Sequence, residues 1–174
     1  TLGVVAVPLA FSSSFSPSNI SLNGTSTLTF SIDNQGSQVE ATDVTFSATL
    51  PDGMALAAAP RATSTCGGDL AAPAGGNTFS FSDGTIAAGE VCTVTVDVVG
   101  QTTGNLAITS GKLLSTLGDS GTTTSTLSIN PPPAFSILFT PDEINAGQIS
   151  TLTFTIDNSA SQVPATNLNL TNEL

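Results

Sequence analysis

The sequence predicts an all-β protein made of sandwich modules in tandem, and three observations lead there. The composition favours strands, several segments alternate apolar and polar residues with period two, and one stretch recurs 124 residues later. Ser and Thr make up more than a quarter of the chain, against two Lys and Arg together. Thr, Val, Ile and Phe suit a pleated, half-buried surface, whereas Lys, Glu and Arg, the usual cover of exposed helix faces, are nearly missing.

The alternating segments come in order along the chain. In 26–32, Leu28, Phe30 and Ile32 point one way and Thr27, Thr29 and Ser31 the other. In 44–50, Val44, Phe46, Ala48 and Leu50 alternate with Thr45, Ser47 and Thr49. Phe79 and Phe81 make a shorter pair, and in 92–98 Cys92, Val94, Val96 and Val98 alternate with Thr93, Thr95 and Asp97. Each pattern predicts a strand with one face in a core and a hydroxyl-rich face in water. Turn signals separate them: DNQGS after the first, PDG at 51–53, DG at 83–84 and AAG at 87–89. Strands of this length between turns, with no helical period, predict an immunoglobulin-like β-sandwich. Its expected core is Leu28, Phe30, Ile32, Val44, Phe46, Phe79, Phe81, Val94 and Val96.

A shift of 124 residues lays 10–50 over 134–174 without a gap, and about half of the positions are identical. STLTFSIDN at 26–34 returns as STLTFTIDN at 150–158. The positions kept are mostly the inward ones, so what repeats is the core. Residues 10–130 are therefore expected to be a complete module. Residues 131–174 form a Pro-rich joint, PPP at 131–133, plus the first half and first three strands of a second module. Consecutive prolines are stiff and extended, which suits a rod. Residues 1–9 align with the end of the first module and are expected to be the last strand of a preceding repeat, or an exchanged strand. An open half-module needs strands from continuing chain or a neighbouring copy. The residues expected to take part in that assembly are Val4, Val5, Val7, Phe135, Phe139, Leu152, Phe154 and Ile156.

Composition also excludes functions. A net charge of −11 disfavours nucleic acid and anionic lipid as partners. The chain has no apolar run of about 18 residues, the minimum for a membrane span, nor a basic start followed by an apolar stretch, so a signal peptide is absent or already removed. Hydroxyls are abundant, but no His is present to activate one, and Lys112 lacks a Ser-x-x-Lys spacing. The acids are scattered over turns and no Trp or Tyr offers a sugar platform, against glycoside hydrolysis. No cofactor is expected. Calcium on Asp33–Asn34, Asp157–Asn158, Asp52, Asp83 and Glu90 is weighed against plain turn capping, and no D-x-D-x-D-G loop favours the metal. Asn19, Asn23 and Asn169 are formal glycosylation acceptors. Cys66 and Cys92 are read as a disulfide, the alternative being two inert core thiols; a bridge points to an oxidising compartment.

The run FSPSNI…GTSTLTFSIDN…VTFSATLPDGM…CGG…NTFSFS…TIAAGEVCTVTVDV resembles the bacterial conserved-repeat family of immunoglobulin-like modules. That is the domain-of-unknown-function-eleven type with its Cys-containing relatives, and the likeness covers 10–130 and the half-repeat after it. The resemblance implies a sandwich fold, an extracellular or cell-surface address and a stalk or matrix role, without a defined ligand. The expected function is a non-enzymatic structural module of an extracellular filament, stalk or matrix protein, partnered end to end by copies of itself or neighbouring repeats. The alternative is an adhesin-type module that binds glycan or protein through its loops.

Overall fold

The computed structural model describes residues 6–171, and the chain is all-β. Its strands are β1 Ala10–Ser16, β2 Asn19–Ser21, β3 Thr25–Asp33, β4 Ala41–Thr49, β5 Met54–Leu56, β6 Thr63–Ser64, β7 Asp69–Ala71 and β8 Thr78–Ile86. They continue as β9 Val91–Gly100, β10 Gly104–Thr109, β11 Leu114–Ser115, β12 Gly118–Asp119, β13 Thr124–Asn130, β14 Ala134–Thr140 and β15 Thr151–Asp157.

Residues 10–130 fold as a sandwich. One sheet runs β1-β3-β9-β5, with β6 also on β9. The facing layer holds β12-β11-β4-β8-β7 and β10-β13-β2, joined by a single bridge between Ala48 and Ser110. The opening segment serves both layers: β1 pairs antiparallel with β3, and after Pro17 the chain crosses so that β2 pairs parallel with β13.

Period-two alternation puts Leu28, Phe30 and Ile32 of β3 and Val94, Val96 and Val98 of β9 on one inner face. Val44 and Phe46 of β4 and Phe79 and Phe81 of β8 meet them from the other. All are buried, as are Cys66 and Cys92. Phe30 touches Phe46 and Phe79 with ring centroids 5.0 and 5.6 Å apart, and Phe11 stacks on Phe30 at 5.7 Å. Ile108, Leu127 and Ile129 from the later strands, with Leu113 just before β11, complete the core.

The structure departs from the sequence expectations at four places. The DG at 83–84 is not a turn: β8 runs through it, with Asp83 at φ 58°. The β4–β8 register slips on either side of Val44, so an extra residue near Asp43 on β4 is offset by one near Asp83 on β8. These are paired bulges. Gly84 is needed there because a Cβ would sit 2.6 Å from the Phe81 ring.

Asp97 is not in water: residues 57–60 lie along β9, with Ala57 N–H donating to the Asp97 carbonyl and Asp97 N–H to that of Pro60. Its side chain is covered.

The half-repeat forms two strands, β14 and β15, where three were expected; residues 158–171 contain no strand. In the first module the third strand, β4, is held by β8, and the described second copy has no counterpart of β8.

Val4 and Val5 lie outside the described residues. Residues 6–9 form no strand, and Val7 is exposed while Leu9 packs into the core. The place a closing strand would take, between β10 and β2, is already filled by β13.

Candidate functional site

The β14–β15 pair repeats the β1–β3 pair residue for residue. Ala10↔Asp33 through Ser16↔Thr27 in the first copy become Ala134↔Asp157 through Thr140↔Thr151 in the second. The reason is local. The same residues, Phe11 with Phe30 and Phe135 with Phe154, stack diagonally across each strand pair, with ring centroids 5.7 and 6.2 Å apart. The bend after each first strand is held alike, since Ser26 Oγ donates to the Pro17 carbonyl at 2.7 Å and Ser150 Oγ to that of Pro141 at 2.6 Å.

The turn after each copy is built alike. Asp33 Oδ1 accepts from Gln35 N–H at 2.6 Å, and Asp157 Oδ1 from Ser159 N–H at 2.8 Å. Hydrogen bonds from the Ser159 side chain and backbone hold the Asp157 carboxyl below the usual carboxylate range. Asn34 Nδ2 donates to the Val39 carbonyl at 2.9 Å, and Asn158 Nδ2 to that of Val163 at 3.0 Å. Asp33, Asn34, Asp157 and Asn158 thus cap turns. Among the described residues no three of His, Cys, Asp or Glu gather as a metal site.

What differs between the copies is cover. Leu28, Phe30 and Ile32 are sealed by β9 and the facing layer, whereas Phe135, Phe139 and Ile156 are 51%, 52% and 46% exposed and Leu152 and Phe154 half-buried. Of the residues expected to take part in assembly, Phe135, Phe139, Leu152, Phe154 and Ile156 lie together on the β14–β15 ribbon, and Val7 lies apart from them, near Gly36.

Cys66 and Cys92 are bonded to each other, with S–S 2.05 Å and Cα atoms 5.1 Å apart. Cys66 lies between β6, which pairs with β9, and β7, which pairs with β8, so the bridge pins the segment that passes from one sheet to the other.

Two clusters went unread in the sequence. On the outer face of the first sheet Arg61 Nε meets Asp97 Oδ2 at 2.9 Å, and Thr27 Oγ1 donates to Asp97 Oδ1 at 2.7 Å. They line a hydroxyl-rich cleft with Ser16, Thr25 and Thr95. Two charges that neutralise each other and hydroxyls without a base can hydrogen-bond a polar ligand but cannot activate a nucleophile. Lys112, the other cation, pairs with exposed Asp119 at 2.6 Å. The second cluster is at the joint, where Asn130 of β13 reaches the loop that follows β15. An Asn directly before three prolines was the one available signal.

No helix among the described residues is long and apolar enough to cross a membrane. Among solved structures the chain is similar to a cohesin module from a Clostridium perfringens family 33 glycoside hydrolase, at 9% identity and a TM-score of 0.51, over 71% of this chain and 98% of that one. It is also similar to the major pilin subunit of Bacillus cereus, at 9% identity and a TM-score of 0.50, over 75% of this chain and 42% of that one. At these identities the likeness is one of fold: β-sandwich. No curated protein matches the sequence. A family model matches over residues 10–129 and again over 133–174, the two copies that the strands delineate, and the chain accordingly belongs to the family described as Domain of unknown function (DUF7933).

Proposed function

We propose that this chain is a non-enzymatic structural stretch of an extracellular filament, stalk or matrix protein of bacterial type, built from end-to-end immunoglobulin-like modules. The observation that carries the reading is the pair-for-pair repetition of the β1–β3 register in β14–β15, with the same Ser-to-Pro hydrogen bond and the same capped turn. A chain selected for a single reacting site gains nothing from repeating a core, whereas an array does. The Cys66–Cys92 bridge supports an extracellular or cell-surface address. The sandwich it shares with a pilin subunit suits such a role. Kinship with the domain-of-unknown-function-eleven type belongs to the same proposal. In an array, the apolar face of β14 and β15 is covered by strands that play the parts of β8 and β9, supplied by continuing chain or by a neighbouring copy.

The module is proposed to need no cofactor, so a calcium chelator should leave its melting temperature unchanged. The function is tested by immunogold electron microscopy of the producing cells with an antibody raised against residues 10–130. Label along extracellular fibres or a surface layer is the expected result, and label confined to the cell interior refutes it.

The cleft at Arg61, Asp97 and Thr27 favours a second reading, a binding module for a polar ligand such as a glycan. Glycan-array binding that Arg61→Ala abolishes would support it; absence of any binding would leave the structural role alone standing.

A further inference from the structure

Asn130 ends β13 and is buried although its side chain is polar. Its backbone belongs to the first module, where its carbonyl accepts from Leu22 N–H at 3.0 Å. Its Nδ2 donates to the Ile20 carbonyl of β2 at 3.1 Å. Its Oδ1 faces the other way and accepts the N–H of Gln162, in the second copy, at 2.9 Å. A carboxamide carries donor and acceptor on one planar group, so this side chain holds both copies at once.

The Gln162 N–H is presented by a loop that is already shaped. Asn158 Nδ2 holds the Val163 carbonyl, and the Ser161 hydroxyl both donates to that carbonyl and accepts from Val163 N–H, each at 3.1 Å. Gln162 sits between these anchors. Between the two modules run Pro131, Pro132 and Pro133, which with Ser21 and Val163 line the crevice at the joint. Three prolines fix the length of a connection, but rotation about the bonds on either side of them stays free. A hydrogen bond from outside the covalent path removes that freedom.

We infer that Asn130 is a latch that fixes the second module on the first at one angle, making the joint a stiff coupling between neighbouring modules. The partner surface is the loop of residues 158–163, and the chemistry of recognition is one buried carboxamide oxygen against one backbone N–H. The inference deepens the modular reading and rests on it in one respect, that residues 131–174 belong to a second unit.

The test uses the whole 174-residue chain with spin labels on Ala107→Cys and Thr153→Cys, two exposed positions on either side of the joint. Pulsed dipolar spectroscopy should give one narrow distance distribution. Asn130→Ala should broaden it, and so should Gln162→Pro, which removes the donating N–H without altering any residue of the first module. The melting temperature of the first module should stay unchanged in Gln162→Pro. A broad distribution in the unsubstituted chain overturns the inference, because the joint is then a hinge. Equally narrow distributions in both variants overturn it too, because the prolines alone then set the angle. Either failure leaves the modular reading intact, since freely hinged sandwiches are still an array.

Discussion

Asn34 and Ile86 lie 52 residues apart, and the Asn34 Nδ2 donates to the Ile86 carbonyl at 3.1 Å. The same nitrogen reaches the Ala87 carbonyl at 3.1 Å, so one side chain ties the end of β3 to the start of the β8–β9 turn. Asn158, its equivalent, keeps only the local bond to Val163. Asn34→Ala removes the donor to the buried Ile86 carbonyl and the ties to Val39 and Ala87, and should cost about 2–4 kcal/mol in urea denaturation, whereas Asn158→Ala should cost about 1 kcal/mol or less. Equal losses at the two sites would mean that the contacts across the turn contribute nothing.

Phe30 is fully buried among Phe11, Phe46 and Phe79. Phe30→Ala should destabilise the protein by about 3–5 kcal/mol. Phe154→Ala, at the matching but half-covered position, should cost about 1 kcal/mol or less. Equilibrium unfolding of both variants checks the contrast. A loss below about 1 kcal/mol at Phe30 would contradict the packing.

These strands were legible because their two faces differ. The alternation of Leu28, Phe30 and Ile32 with Thr27, Thr29 and Ser31 states which side is dry, and the repeat states it twice. Asp97 was misread because its cover comes from residues 57–61, a segment with no periodic signal. Asp83–Gly84 was misread because Asp-Gly marks a hairpin turn and a bulge alike, and only the slipped register of β4 against β8 tells them apart. The third strand of the second copy was expected from the gapless alignment of 10–50 with 134–174, although only Ala165 and Thr166 match β4, and a strand forms only beside a partner. The Asn130–Gln162 contact was hidden because it joins residues 32 apart across a joint whose angle no local pattern specifies.

The Cys66–Cys92 bridge closes a separation of 26 residues. Alkylation of the unreduced native protein should find no free thiol, and reduction should lower stability by about 3.5 kcal/mol on chain-entropy grounds. Two reactive thiols in the native protein would contradict the bridge.

The chain has no His, so no side chain has its ordinary titration between about pH 5 and 8. The hydrogen bond between Lys112 and Asp119 raises the lysine above 10.5 and lowers the carboxyl below 3.8. The raised lysine contributes fully below 10.5 and loses its contribution as pH climbs through the higher folded value. The lowered carboxyls of Asp119 and Asp157 contribute above 3.8 and lose it as pH falls through their folded values. Melting temperature should therefore be flat from about pH 5 to 8 and fall only in acid below that or in strong base. A marked transition near pH 6.5, about where free His titrates, would contradict this.

If successive modules each carry their own core, a single one must fold without its neighbour. The decisive measurement is the thermal and urea unfolding of the chain cut to residues 6–130, which keeps the buried Leu9, beside the whole 174-residue chain. The shorter chain should be monomeric, unfold in one cooperative transition, and share its midpoint with the main transition of the longer one. A shorter chain that is unfolded, or that melts broadly until residues 131–174 are restored, would contradict the modular claim.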